Sequence, residues 1–164
     1  MKMNYSGNRI EIKRILSDLD KFVAGFVKIL DGMKIKYVIV SGYVAILFGR
    51  TRGTEDIDIF ISDMLKGGDS IRVAKKNRAV PNIEIKISKE GETEDRLKAA
   101  INGLELFISP IENQIAFKFY LGSEKDVEDA VYLHELFRGK LDTKLLVKKC
   151  KELNVLGAMN KYAK

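Results

Sequence analysis

The stretch "YVIVSGYVAILFGRTRGTEDIDIFIS", residues Tyr37 to Ser62, places two carboxylates inside an apolar, β-branched run. Asp56 and Asp58 are separated only by Ile57, and side chains two positions apart on a strand project from the same face. Two carboxylates on one partly buried face repel each other, and loss of water raises that cost. A divalent cation would resolve the conflict, whereas on a solvated edge strand the pair would need no metal.

The residues before the aspartates predict a tight turn between a strand and a helix. The run from Ile35 to Val40 predicts a buried strand that ends at Ser41 and Gly42, and "YVAILF" predicts a short helix closed by Gly49. Backbone N–H groups and a hydroxyl at such a turn suit a phosphate group. An ordinary turn without a ligand is the alternative.

The rest of the chain predicts further strands and helices, with no repeat and no linker. Asn8 with Glu11 predicts a helix start, and apolar spacing continues that helix to Leu30, before Gly32. Strands are predicted at "SIRVA", "NIEIKIS" and "LELFIS", turns at "KGGD" and "KEGETED", and helix starts at Ser109-Pro110, Ser123 and Asp142. Residues from Asn154 onward show weak order signals. We therefore predict one α+β domain over residues 1–164.

Composition narrows the possible chemistry. Of 164 residues, 46% are hydrophobic and 32% are charged, which is typical of a globular domain. A single cysteine, Cys150, excludes an internal disulfide and a Cys-based zinc site, and a single histidine, His134, argues against His-rich metal sites. A metal would need oxygen ligands, which favours Mg²⁺, Mn²⁺ or Ca²⁺. The N-terminus lacks an apolar signal core and no run is long enough to span a membrane, so we expect a cytoplasmic protein.

The formal charge of +6 is unevenly distributed. Basic runs lie at Arg72 to Arg78 and at Lys144 to Lys151, whereas acidic residues dominate between Glu90 and Asp129. Basic patches would attract RNA or the phosphates of a nucleotide. A lysine-rich solvated surface explains them equally well.

The quoted segment resembles the nucleotidyltransferase superfamily that includes polymerase beta, especially its small toxin–antitoxin branch of AbiEii and MNT type. The matching motif is Val40-Ser41-Gly42, thirteen intervening residues, then Asp56-Ile57-Asp58-Ile59. Further matches to the AbiEii-like pattern are Tyr43, Ala45, Gly49, Arg52 and Thr54. Ser41 stands where the first glycine of the motif is common.

A second block of the same resemblance lies downstream, in the order that the family shows. It comprises Ser109-Pro110, Glu112, Lys118, Lys125-Asp126 and Asp129. The arginine that the family places shortly before Lys125 is absent. Together the two blocks cover roughly residues 37–137. They imply an α+β fold with a mixed, mostly antiparallel sheet, flanking helices and C-terminal helices.

The resemblance implies a role for each acidic residue. Asp56 and Asp58 would bind Mg²⁺ or Mn²⁺ in the presence of an NTP substrate. A third carboxylate from a neighbouring strand would complete the metal site and act as base, and Glu84 is the candidate because "IEIKIS" turns it away from the isoleucines. Lys86 on the same face would alternatively pair with Glu84.

The resemblance also implies phosphate contacts. Ser41 and Gly42 would cradle the β- and γ-phosphates, and Arg52 would reach a phosphate or brace the aspartates, unless it is a surface arginine. Lys118 either reaches the triphosphate or extends its ammonium group to solvent. Asp126 and Asp129 are interpreted as structural residues at a helix start.

The implied activity is metal-dependent transfer of NMP from an NTP to a hydroxyl group on RNA, such as a tRNA end. A protein hydroxyl in a toxin–antitoxin pair is the nearest rival, and a cationic aminoglycoside fits a basic surface less well. The alternative function is a catalytically degenerate member that binds nucleotide or a partner protein. A D-x-D glycosyltransferase would need a much longer chain.

Overall fold

The computed structural model of the protein describes residues 2–54, 56–62, 70–73, 82–88 and 93–163. Its strands are β1 (Lys2–Ser6), β2 (Arg9–Lys13), β3 (Tyr37–Val40), β4 (Asp56–Ile61), β5 (Ser70–Val73), β6 (Asn82–Ile87), β7 (Leu97–Ile101) and β8 (Leu104–Ile108). Its helices are α1 (Asp18–Gly32), α2 (Gly42–Leu47), α3 (Ile111–Leu121), α4 (Glu124–Leu136), α5 (Thr143–Glu152) and α6 (Leu156–Tyr162). The "KGGD" turn, most of the "KEGETED" turn and residues 74–78 of the first basic run lie outside the described residues.

The described strands form one eight-stranded sheet in the order β1-β2-β7-β8-β3-β4-β6-β5. Four neighbouring pairs are antiparallel: β1 with β2, β3 with β4, β5 with β6, and β7 with β8. Three pairs are parallel: β2 with β7, β3 with β8, and β4 with β6. The predicted α+β fold with a mixed, mostly antiparallel sheet is therefore confirmed.

The chain forms two compact units, residues 1–109 and residues 110–164. The first unit holds the sheet, α1 and α2, and the second holds α3 to α6. The prediction of one domain over residues 1–164 stays a prediction. In the first unit, the central strands bury their apolar side chains, with Ile39, Ile57 and Ile59 at most 1% exposed.

The predicted helix start at Asn8 is wrong. Residues 2–13 form the β1–β2 hairpin, in which Ile10 and Ile12 are buried and alternate with exposed neighbours. Helix α1 begins later, where the side chain of Ser17 accepts the backbone N–H of Asp20 and Asp20 accepts the backbone N–H of Ser17. Ile10 and Ile12 are two positions apart, which is the period of a strand. The helix prediction joined Ile12 to the helical spacing of α1 and therefore began too early.

Most other element predictions are confirmed. Ser123 and Asp142 cap α4 and α5, and Gly122 ends α3 in the left-handed conformation with φ 70°. The predicted N-cap Ser109 is one residue early, because Pro110 is the N-cap of α3. Strand β7 and helix α6 were not predicted. Among the described helices, none has both the length and the apolar character that a membrane crossing requires.

Candidate functional site

Asp56 and Asp58 lie on one face of β4, as the alternation predicted. Ile57, Ile59 and Ile61 are at most 2% exposed, whereas the two aspartates are partly exposed on the opposite face. The isoleucines are buried in the core because a strand in the middle of a sheet must cover one face with apolar side chains. The two carboxylates consequently lie on the opposite face, which is partly open to solvent.

The neighbouring strand β6 brings two more charged residues to this face. Asp58 is paired in register with Glu84, and Lys86 lies two positions beyond Glu84. The Lys86 Nζ atom lies 3.1 Å from Asp58 Oδ1 and 3.7 Å from Glu84 Oε1. Sequence reasoning offered Lys86 as a partner of Glu84, and the structure shows a shorter contact with Asp58. We refer to Asp58, Glu84 and Lys86 as the sheet cluster.

The donor set on this face fits a divalent cation held by two carboxylates. Mg²⁺ commonly takes only one or two protein carboxylates and completes its shell with water and substrate phosphates. Asp56 and Asp58 supply such a pair, and the Lys86 ammonium donates a hydrogen bond to Asp58 Oδ1 at 3.1 Å. Among the described residues, no group of three Asp, Glu, His or Cys side chains is placed to hold a metal ion. The roles of Asp56 and Asp58 as ligands, and of Glu84 as the third one, stay predictions.

The Ser41–Gly42 turn lies at the same end of the sheet as the aspartates, because Val40 is paired in register with Asp58. Ser41 adopts φ 66° and ψ −138°, a backbone conformation that favours glycine. Glycine adopts this conformation without strain. For a serine it stores strain of about 1–3 kcal/mol, and such strain often accompanies functional sites.

Gly42 is required by close packing against the turn that enters β4. A Cβ atom on Gly42 would lie 3.0 Å from Thr54 Oγ1 and 3.1 Å from Arg52 Nη2. Thr54 donates a hydrogen bond from its hydroxyl to the carbonyl of Asp56 at 2.8 Å, and Arg52 Nη1 donates to the carbonyl of Gly53 at 2.9 Å. The structure therefore brings Arg52 against the predicted phosphate turn, and the Thr54 hydroxyl holds the backbone where the chain enters β4.

A buried polar network that sequence reasoning missed anchors the helix after this turn. Asp20 is fully buried and accepts hydrogen bonds from Arg14 at 2.7 and 2.8 Å and from the hydroxyl of Tyr43 at 2.8 Å. Arg14 also donates to the carbonyl of Leu47 at 3.3 Å, near the end of α2. Tyr43 follows Gly42 directly, so the network fixes α2 immediately after the turn. The Ser17-x-x-Asp20 pattern was the signal that would have located it.

The network also sets the pKa values of its members. Burial raises the pKa of Asp20, but hydrogen bonds from Arg14, Ser17 and Tyr43 outweigh burial and hold that pKa below its ordinary value. Burial, together with the charge of Asp20, raises the pKa of the Tyr43 hydroxyl. Asp20 is therefore a carboxylate and Tyr43 a neutral hydrogen-bond donor at neutral pH.

Lys118 lies in the helical unit and is only 1% exposed, so the alternative that its ammonium reaches solvent is wrong. Its Nζ atom lies 2.6 Å from Asp126 Oδ1 and 3.1 Å from Asp129 Oδ2. A lysine this deeply buried requires such partners, since an unpaired charge in a low dielectric is costly. Its predicted contact with a triphosphate stays a prediction, and the observed partners of its ammonium group are the carboxylates of Asp126 and Asp129. We refer to Lys118, Asp126 and Asp129 as the helical cluster.

Comparison with solved structures identifies the fold as nucleotidyltransferase-like. A crystal structure of an antigenic nucleotidyltransferase-like protein from Paracoccidioides brasiliensis is similar, with a TM-score of 0.55, 19% identity, and coverage of 90% of this chain and 93% of that one. A solution structure of the antibiotic-resistance factor ANT(2'')-Ia is similar with a TM-score of 0.58, 13% identity, and coverage of 86% and 94%. No protein-family model and no curated protein matches the chain. Identities this low establish the fold alone, and the narrower AbiEii and MNT resemblance stays a prediction.

Proposed function

We propose that the protein is a nucleotidyltransferase that moves NMP from an NTP to a hydroxyl group and releases pyrophosphate. One observation carries this proposal: in a nucleotidyltransferase-like fold, Asp56 and Asp58 share a face at the end of the sheet where the Ser41–Gly42 turn lies. An acidic pair beside a turn rich in backbone N–H groups suits a metal-bound triphosphate.

Each site residue has a proposed role. Asp56 and Asp58 would hold Mg²⁺ or Mn²⁺, which would neutralise developing charge on the phosphates and activate the attacking hydroxyl. Ser41 and Gly42 would bind phosphate oxygens through their backbone N–H groups, and Arg52, which lies against Gly42, would add positive charge. Glu84 is the proposed third carboxylate and would accept the proton of the acceptor hydroxyl. Lys118 is left out of this proposed site, because its ammonium is already held by Asp126 and Asp129.

RNA, such as a tRNA end, is the proposed acceptor, with a protein hydroxyl as its rival. The chain carries a net charge of +6, and the described helix α5 contributes Lys144, Lys148, Lys149 and Lys151. Clustered lysines attract polyanions. The AbiEii and MNT resemblance favours a toxin–antitoxin context, in which the partner toxin or antitoxin would be the protein acceptor. We propose a cytoplasmic location, where NTPs and RNA are present.

A second candidate function is binding of nucleotide or a partner protein without transfer. It is favoured by the contact of Lys86 with Asp58, which places a protein cation on a proposed metal ligand. In this case the protein would bind NTPs and release no pyrophosphate.

Mg²⁺-dependent pyrophosphate release from each NTP distinguishes the two functions. We expect release by the wild type in the presence of candidate RNA or protein acceptors, and a loss of about a hundredfold or more in Asp58→Asn. Asp95→Asn, which changes an exposed aspartate of the same unit, is the matched control and should keep wild-type turnover. Equal turnover in Asp58→Asn would disprove the proposed role of the pair. NTP binding without any turnover would favour the second candidate.

Labelled NTPs would identify the acceptor. Transfer of label to tRNA rather than to protein supports the RNA acceptor, and label on a partner toxin or antitoxin supports the rival. Labelling that persists equally in Asp56→Ala and Asp58→Ala would contradict the mechanism whichever acceptor is labelled.

A further inference from the structure

The contact between Lys86 and Asp58 places a protein cation on a proposed metal ligand, and no sequence motif indicates this contact. We propose that Lys86 is an internal counter-ion that occupies the sheet cluster when no metal is bound and is displaced by the divalent cation. This inference rests on the proposed role of Asp58 as a metal ligand. It predicts that the protein lowers its own affinity for metal through a competing ammonium group.

The register of the sheet places the three charges together. Glu84 lies opposite Asp58 in the parallel β4–β6 pair, and Lys86 lies opposite Phe60. Residues two apart share a face, so Lys86 and Glu84 emerge on the side of Asp58. The Lys86 ammonium leans back along this face and donates a hydrogen bond to Asp58 Oδ1 at 3.1 Å. It therefore contacts a carboxylate that the proposed metal would also need.

The exposure of the sheet cluster makes the contact exchangeable. The side chains of Lys86, Asp58 and Glu84 are 38%, 17% and 24% exposed. An ion pair in contact with water is weak, and a lysine ammonium on its flexible stem is readily hydrated after it leaves. A divalent cation, with twice the charge, can therefore take its place on Asp58.

The same ammonium has opposite effects in the two states. Without metal it reduces repulsion among Asp58, Glu84 and the neighbouring Asp56, which all carry negative charge. With metal bound it becomes a nearby like charge and opposes binding. Removal of the Lys86 charge should therefore increase the affinity for metal and lower the stability of the metal-free protein. A lysine with a merely structural role would produce only the second effect.

Binding of Mn²⁺ to the nucleotide-free protein, followed by electron paramagnetic resonance, tests the inference without any catalytic readout. We expect Lys86→Met to bind Mn²⁺ about tenfold more tightly than the wild type, because one competing charge is removed from a partly solvated site. Lys86→Arg keeps the charge and should bind no more tightly than the wild type. Lys36→Met, which removes an exposed lysine paired with Glu94, is the matched control and should not change affinity. Equal or weaker Mn²⁺ binding by Lys86→Met would overturn the proposal.

A measurement on the wild type covers the case in which Lys86→Met does not fold. Mg²⁺ should increase the reaction of Lys86 with an amine-reactive ester, measured by mass spectrometry, while the labelling of Lys36 stays constant. Unchanged labelling of Lys86 at saturating Mg²⁺ would overturn the proposal. Pyrophosphate release is measured in parallel. If the wild type releases pyrophosphate but Lys86→Met binds Mn²⁺ with unaltered affinity, the counter-ion role of Lys86 is rejected and the proposed function stands. If the wild type neither releases pyrophosphate nor binds Mn²⁺, the proposed function is rejected as well.

Discussion

The sheet cluster and the helical cluster contain the same chemical groups in different surroundings. Each consists of one lysine and two carboxylates, with the shortest contact at 3.1 Å in the sheet cluster and 2.6 Å in the helical cluster. The side chain of Lys86 is 38% exposed, whereas that of Lys118 is 2% exposed. Water therefore reaches the Lys86 side chain and is almost entirely excluded from that of Lys118.

This difference in hydration separates a structural charge from an exchangeable one. In the helical cluster, Ser123 caps α4 and also donates a hydrogen bond to Asp126, which in turn holds Lys118. A charge that has lost its water depends on such partners and cannot leave them. In the sheet cluster, the ammonium can return to water at little cost. The presence of a lysine beside two carboxylates therefore does not identify a functional site until its exposure is known.

Lys118→Met should give the largest effect on stability. The substitution leaves two buried carboxylates without their cation, which typically lowers the free energy of unfolding by about 3–5 kcal/mol. Urea unfolding followed by circular dichroism measures the loss. Lys140→Met, at an exposed position of the same unit, is the control and should stay within about 0.5 kcal/mol of the wild type. A loss below about 1 kcal/mol in Lys118→Met would show that the two clusters do not differ as their exposure indicates.

Asp126→Asn tests the helical cluster through its pH dependence. Burial raises the pKa of Asp126, but hydrogen bonds from Lys118 and Ser123 outweigh burial and hold the pKa below its ordinary value of 3.8. A lowered pKa in the folded state means that the carboxylate contributes stability above pH 3.8, and that this contribution is lost as the pH falls through the folded-state pKa. We expect Asp126→Asn to be less stable than the wild type by about 2 kcal/mol at pH 7.

The difference between Asp126→Asn and the wild type should shrink as the pH falls below 3.8, because the wild-type carboxyl then becomes neutral. Urea unfolding at pH 7, 4 and 3 measures this trend, provided that both proteins are folded at the lowest pH. A difference that stays constant across this range would mean that charge is not what Asp126 contributes.

Local signals predicted much of the fold. The alternation in β4 and β6 placed the isoleucines inside and Asp56, Asp58 and Glu84 on the other face, because a period of two is a property of each strand alone. Helix starts at Ser123 and Asp142 were predicted because a capping side chain acts within three residues. These predictions required no knowledge of distant contacts.

Contacts between distant residues account for what the sequence did not reveal. Strand β7 has no alternation and is defined by its pairing with β2 and β8. The contact of Lys86 with Asp58 depends on the parallel register of β4 and β6, and that of Lys118 with Asp126 depends on how α3 and α4 pack. Neither arrangement can be predicted from the spacing of residues along one element.

Tyr43→Phe tests the buried carboxylate of Asp20, which accepts hydrogen bonds from Arg14 and from the neutral hydroxyl of Tyr43. The substitution removes the 2.8 Å hydrogen bond to Asp20 but leaves both contacts from Arg14. We expect a loss of about 1.5 kcal/mol in the free energy of unfolding, which is smaller than in Lys118→Met because the charge keeps its cation. Under the proposed function, KM for NTP should rise more than kcat falls, since α2 follows the phosphate turn. An unchanged KM would show that the hydrogen bond between Tyr43 and Asp20 does not affect nucleotide binding.

Lys86→Met should have the smallest effect on stability, below about 1 kcal/mol in metal-free buffer, because exposed ion pairs contribute little. The loss should disappear in high salt, which screens the sheet cluster but leaves the helical cluster almost unaffected. Mg²⁺ should also reverse it, since the metal would supply the missing positive charge to Asp58. Thermal unfolding of Lys86→Met and Lys118→Met at low and high salt measures both responses side by side. If salt changes the two losses equally, the sheet cluster is as closed to water as the helical one, and a displaceable lysine is no longer possible.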